Sequence, residues 1–273
     1  MRLSVAFAAL LLIPSLASAQ MVSIPFGGPK KPRPSTTDTM RGSPPGIAAA
    51  VANKDRPTAM TDLDESRRPA AVLEFLGLPL GARVLDVLAE GGYYSEIIGD
   101  AVGTQGKVVA LVQPATMKDP AQRAAISGVV GRVPTVTILA VPPADVQFAP
   151  NSFDFVLMHL VYHDLYWENA KYGFARMDPA AFLKKIYAAT RPGGTVGVID
   201  HVANPGGDTR DVVEKLHRID PATIKADFLR AGFVLDSESS LLRMPADDHT
   251  KLVFDPSIRG KTDRVVFRFR KPE

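Results

Sequence analysis

The residues best equipped to move protons fall at two points of the chain, His159-Leu160-Val161-Tyr162-His163-Asp164 and Asp200-His201. Imidazole changes charge near neutral pH, and a carboxylate on its far nitrogen fixes its tautomer, so such pairs suit general acid–base work. His163 is the candidate base, with Asp164 or His201 as the group that orients it. Taken singly, each of these residues serves as readily as a helix cap or a satisfied core group; the grouping carries the reading. His159 and His163 have the i, i+4 spacing of helical zinc pairs, but Leu160, Val161 and Tyr162 bring no glutamate between them. A strand-to-loop passage there also breaks the helix, so no metal is expected and metal-dependent hydrolysis is the weakest alternative. His217, in Lys215-Leu216-His217-Arg218, could border the same pocket without a specified role. The chain has no cysteine, which excludes thiol catalysis, and no Gly-x-Ser-x-Gly turn. A third segment, Asp86-Val87-Leu88-Ala89-Glu90-Gly91-Gly92-Tyr93, carries glycines that let a backbone approach a ligand closely.

These residues need elements to hold them. Apolar runs at 83–88, 107–112, 135–140, 153–158 and 195–200 read as strands, and their continuity suits a parallel sheet covered on both faces. Helices are expected at 47–53, from the opening Ser66-Arg67-Arg68-Pro69 to Leu76, at 93–101, after Asp178-Pro179 and after Asp220-Pro221, with final strands near 233–239 and 264–269. Alternating strands and helices predict a doubly wound α/β sheet. In such sheets ligands bind beyond the carboxyl ends of the strands, which is where all three segments fall.

The glycine segment resembles motif I of the class I S-adenosylmethionine-dependent methyltransferases, usually Asp-x-Gly-x-Gly-x-Gly. Asn151-Ser152-Phe153-Asp154, Arg191-Pro192-Gly193-Gly194 and Ala231-Gly232-Phe233 are similar to that family's later strand boundaries, in the same order. Gly91-Gly92-Tyr93-Tyr94 and Tyr162-His163-Asp164 resemble a secreted branch of predicted methyltransferases. The resemblance implies a Rossmann-like three-layer sandwich of about seven strands with the last antiparallel. It also implies S-adenosylmethionine as cofactor, held by Asp86, Leu88, Glu90, Gly91, Gly92, Tyr93 and Gln113. The sequence departs from the motif: Leu88 and Glu90 stand where the first two glycines belong, and Gln113 replaces the acid that meets the ribose. Glu90 could face the cofactor's cationic groups or block them. The expected activity is methyl transfer to a small acceptor in the cell envelope, with a non-catalytic ligand- or partner-binding descendant as the alternative.

The start of the chain predicts export. Arg2, an apolar stretch over residues 3–16 and Ala17-Ser18-Ala19 form a signal-peptide pattern with cleavage before Gln20, so a periplasmic or secreted protein is expected. Residues 20–46, rich in Pro, Gly, Ser and Lys, read as a tether, and 47–273 as the domain. A net charge of +3 with mixed signs, and no aromatic-basic signature, argue against nucleic acid. No later run of apolar residues is long enough to span a membrane.

Overall fold

The structure, a computed structural model, describes residues 46–273; the signal-peptide reading and the tether up to residue 45 lie outside it. Four short helices come first: α1 Ile47–Val51, α2 Thr58–Thr61, α3 Asp64–Arg67 and α4 Pro69–Leu76. Then follow β1 Arg83–Val87, α5 Tyr93–Val102, β2 Lys107–Val112, α6 Pro114–Lys118, α7 Pro120–Arg132 and β3 Val136–Ala140. The second half holds β4 Phe153–His159, α8 Pro179–Ala189, β5 Thr190–His201, α9 Thr209–Leu216, α10 Pro221–Arg230, β6 Val234–Ser239 and β7 Arg264–Arg270.

One device starts three of the helices. Asp119, Asp178 and Asp220 each precede a proline, and each carboxylate accepts a backbone N–H of the first turn at 2.8–2.9 Å. Proline at the first helical position gives up an N–H that had no partner there, and aspartate satisfies another.

The strands form one seven-stranded sheet in the order β3-β2-β1-β4-β5-β7-β6. The pairs among β1 to β5 are parallel, and β7 is antiparallel to both β5 and β6. This is the Rossmann-like α/β arrangement with an antiparallel last strand. Side chains alternate into two cores, as a period of two requires. Leu85, Val109, Val156 and Met158 join Phe182, Ile186 and Phe228 of α8 and α10 on one face. Val84, Val108, Phe155 and Leu157 join Leu73, Ile97, Ile126 and Val129 of α4, α5 and α7 on the other.

The structure alters some boundaries. Residues 191–194, which precede the strand expected at 195–200, run within β5, because Gly193 N–H donates to Lys271 O and Lys271 N–H to Gly194 O at 2.9 and 3.0 Å. Helices α2, α3, α6, α7 and α9 were not expected. No helix among the described residues is long and apolar enough to cross a membrane. Strand order reverses between β1 and β4, so their carboxyl ends diverge into the crevice where the chemistry-bearing segments meet.

Candidate functional site

The loop after β1 is built on unusual backbone. Leu88, Glu90 and Gly92 all take positive φ, at 53°, 48° and 83°. Glycine adopts this region without penalty, whereas other residues pay about 1–2 kcal/mol. The loop thus keeps a glycine-like path with two non-glycine side chains on it. Gly92 has a packing role: a Cβ there would stand 2.6 Å from Ile126 Cδ1 and 3.0 Å from Val129 Cγ2 of α7. Gly91 faces Met60 and Ala125, each 3.6 Å from the place a Cβ would occupy. On its Cβ side Gly92 therefore meets the side chains of α7.

The other residues of the loop divide between structure and open surface. Asp86 is buried, and its carboxylate accepts the Ser95 hydroxyl at 2.6 Å. Desolvation pushes its pKa up to about 7, against the hydrogen bonds from Ser95. Tyr93 donates to Asp64 at 2.6 Å, and Arg56 holds the same carboxylate through two bonds of 2.7 and 2.8 Å. The Arg67 guanidinium lies 4.3 Å over the Tyr93 ring. Tyr93 therefore ties the N-terminal helices to the loop. Glu90 has solvent-accessible surface, yet desolvation raises its carboxyl pKa while Arg67 and His163 attract the charge. Gln113, just after β2, is buried, and its Oε1 has no hydrogen-bond partner.

The ends of β4 and β5 supply the ionisable cluster. His163 lies in a tight 3-10 turn, His163–Leu165, after Leu160 has reversed the chain at φ 58°. Its Nδ1–H donates to Asp200 Oδ1 at 2.7 Å, and its backbone N–H donates to Asp200 Oδ2 at 2.8 Å. The carboxylate that orients the ring is thus Asp200. Asp164 meets the other nitrogen, Nε2, at 3.4 Å. His201 turns away, its Nδ1 2.8 Å from the Thr262 hydroxyl. His159, at the strand end, packs its ring 4.6 Å from Tyr94, and its buried Nε2 has no partner. The i, i+4 pair read from the sequence does not converge.

A residue from elsewhere does. His217 follows α9 in left-handed conformation, φ 48°, and its Nδ1 lies 3.4 Å from His163 Nε2 and 3.8 Å from Asp164 Oδ1. Trp167 and Phe254 hold its ring at centroid distances of 4.6 and 5.2 Å. Only the Lys215-to-Arg218 stretch near the Asp220 cap hinted at it. Burial lowers the His163 pKa, but Asp200 and Asp164 outweigh that and push it up to about 9. Burial, with neighbouring His163, lowers His217 to about 4. Burial also raises Asp164 to about 7, aided by Asp200 and Glu90 against the pull of His163. His201 falls well below the usual range, chiefly by desolvation and then by the charge on His163. Two recesses of about 160 and 140 Å³ occur in loops beyond β4 and β5, the first lined by Asn204, Gly206, Thr209, Ile219 and Thr223 among others, the second by Tyr166, Arg210 and Glu214; neither includes the cluster.

Residues 85–198 match the family described as methyltransferase domain. No curated protein matches the chain. Among solved structures, a SAM-dependent methyltransferase from Aquifex aeolicus is similar at 18% identity and TM-score 0.53, over 81% of this chain and 97% of that one. An S-adenosylmethionine-dependent methyltransferase from Mesorhizobium loti gives 16% and 0.51, over 76% and 99%. The [4+2]-cyclase SpnF gives 17% and 0.54, over 83% and 91%. At these identities the likeness is one of fold.

Proposed function

We propose that the chain is a class I S-adenosylmethionine-dependent methyltransferase that transfers a methyl group from S-adenosylmethionine to a small acceptor, a reading that the methyltransferase-domain match over residues 85–198 supports. The carrying observation is the loop after β1, which holds positive φ at 88, 90 and 92 despite two lost glycines. Beside it stands a test of fit. The buried, unpartnered Oε1 of Gln113 is an acceptor with no donor, where a ribose hydroxyl would supply one. The Glu90 carboxylate adds the only acidic side chain of the loop's residues 88–92, suited to a cationic amino or sulfonium group. The residues present therefore fit the cofactor: Gln113 would hold the ribose and Glu90 the charged end. When bound, S-adenosylmethionine supplies an electrophilic methyl group.

The protein's part is to orient and to manage a proton. An acceptor hydroxyl or amine at the ends of β4 and β5 meets His163, Asp164 and His217, whose facing atoms lie within 3.4–3.8 Å of one another. A proton leaving the acceptor can be taken there by Asp164, whose pKa is pushed up to about 7, or by His217, beside a His163 that Asp200 and Asp164 keep charged near neutral pH. Proximity and orientation are the main catalytic effect such a site offers. The signal-peptide pattern supports placing this activity in the envelope.

A second reading has its own support: Ile126 and Val129 of α7 crowd Gly92, and the similar SpnF is a cyclase. Calorimetric titration with S-adenosylmethionine and S-adenosylhomocysteine separates the two. Saturable micromolar binding supports the transferase; no binding at millimolar cofactor sinks it and leaves a binding protein on a methyltransferase fold.

A further inference from the structure

His163, Asp164 and His217 come from two separate segments, yet three potential ligand atoms converge in a protein interior. His163 and Asp164 are 4% and 8% exposed, and the His217 side chain is 12% exposed. Their facing atoms are His163 Nε2, Asp164 Oδ1 and His217 Nδ1, separated by 3.4, 3.4 and 3.8 Å. A zinc-like ion bound at about 2.0–2.1 Å in tetrahedral geometry spaces its ligands about 3.3–3.4 Å apart. Three atoms at the observed separations lie on a circle of radius about 2 Å, so one point is a bonding distance from all of them.

A second observation concerns the far side of His163. Its Nδ1–H is committed to Asp200, which is fully buried and also accepts the His163 and His201 backbone N–H groups at 2.8 and 2.7 Å. A carboxylate on the remote nitrogen of a histidine fixes the tautomer that presents a lone pair at Nε2, as it does behind metal-bound histidines. His217 is anchored as firmly. Its neighbour Arg218 is fully buried, makes two bonds of 2.8 and 3.0 Å to Asp247, and reaches Val202 O and Lys251 O. Ile219 N–H donates to His201 O at 3.0 Å, joining this segment to the end of β5. The strained φ of His217 is thus held by the two residues that follow it, which keeps its ring beside His163.

We propose that His163 Nε2, Asp164 and His217 Nδ1 bind one divalent transition-metal ion of the zinc type, with Asp200 as the positioning residue behind His163. Two imidazoles and one carboxylate are the donor set such ions favour over magnesium or calcium. Three protein ligands leave a further position for water or for an oxygen of the acceptor. The site uses none of the residues assigned to the methyl donor, so it stands or falls without cofactor binding.

The test is metal alone. Full-length protein is stripped with chelator and titrated with Co²⁺, reading the visible d–d absorption of low-coordinate cobalt, then displaced with Zn²⁺. One equivalent is expected. Asp200→Asn should weaken binding by about 10–100-fold, the usual effect of losing a partner behind a histidine ligand. His217→Asn, chosen because asparagine tolerates positive φ, should abolish the tetrahedral spectrum while circular dichroism stays native. His249→Ala, whose ring meets Asn204 and Asp263 instead, should bind normally. Wild-type protein that gives no cobalt spectrum, or a His217→Asn protein that keeps it, overturns the site and leaves a proton bridging the cluster.

Discussion

At the scale of single residues, charge placement in the loop after β1 decides most. Glu90 is exposed, and desolvation raises its carboxyl pKa while the charges of Arg67 and His163 pull it down. If its charge serves the cofactor, Glu90→Gln weakens S-adenosylmethionine binding by roughly tenfold, about 1.4 kcal/mol for one lost charge-assisted contact. Calorimetry checks this; tighter binding in Glu90→Gly would mean that the side chain obstructs. Asp86 gives a pH prediction. Its pKa is raised to about 7 in the fold by desolvation, above the unfolded value near 3.9, so its favourable contribution is complete below that value and is lost as pH rises through 7. Asp86→Asn should therefore gain stability over the parent protein as pH goes from 5.5 to 8.5, by an amount on the order of a few kcal/mol. Urea unfolding at the two pH values measures it, and a difference that does not grow with pH would mean that Asp86 stays ionised throughout.

At the scale of elements, two contacts join the loop to its neighbours. Helix α7 fills the space beside Gly92, so Gly92→Ala must bear both the positive φ and overlap with Ile126. The expected loss is about 2–4 kcal/mol, combining backbone and overpacking costs; a midpoint shift below 1 kcal/mol would show that α7 gives way. The N-terminal helices are held differently, through Tyr93 to Asp64 and Arg56. Tyr93→Phe should cost about 1–2 kcal/mol and speed amide exchange over residues 58–67. Unchanged exchange would place their anchorage elsewhere. Legibility varied at this scale for a physical reason. Helices α8 and α10 announced themselves by an Asp-Pro start and apolar spacing, whereas α7 has the same Asp119-Pro120 start but buries only Ile126 and Val129. Its Ala- and Gly-rich exposed face hides the period.

At the scale of the whole molecule, the reading of the first nineteen residues predicts a mature protein whose mass begins at Gln20 in an envelope fraction; an intact mass starting at Met1 would contradict it. What the sequence determined by itself was local. Continuous apolar runs require strands covered on both faces, Asp-Pro pairs start helices, and their alternation requires a doubly wound sheet. It also located the reactive segments at strand ends, because that follows from where each run stops. The identity of each partner was decided only by tertiary structure. His163 meets Asp200 across 37 residues and His217 across 54, while its sequence neighbour Asp164 takes the second nitrogen. Tyr93 spends its hydroxyl on Asp64, 29 residues away, and Gly92 is required by side chains of α7. Periodicity and capping act within a few residues of chain, so they can be read from the order of amino acids. Contacts between distant segments depend on how two cores pack against one twisted sheet, and that packing brought His217 to His163.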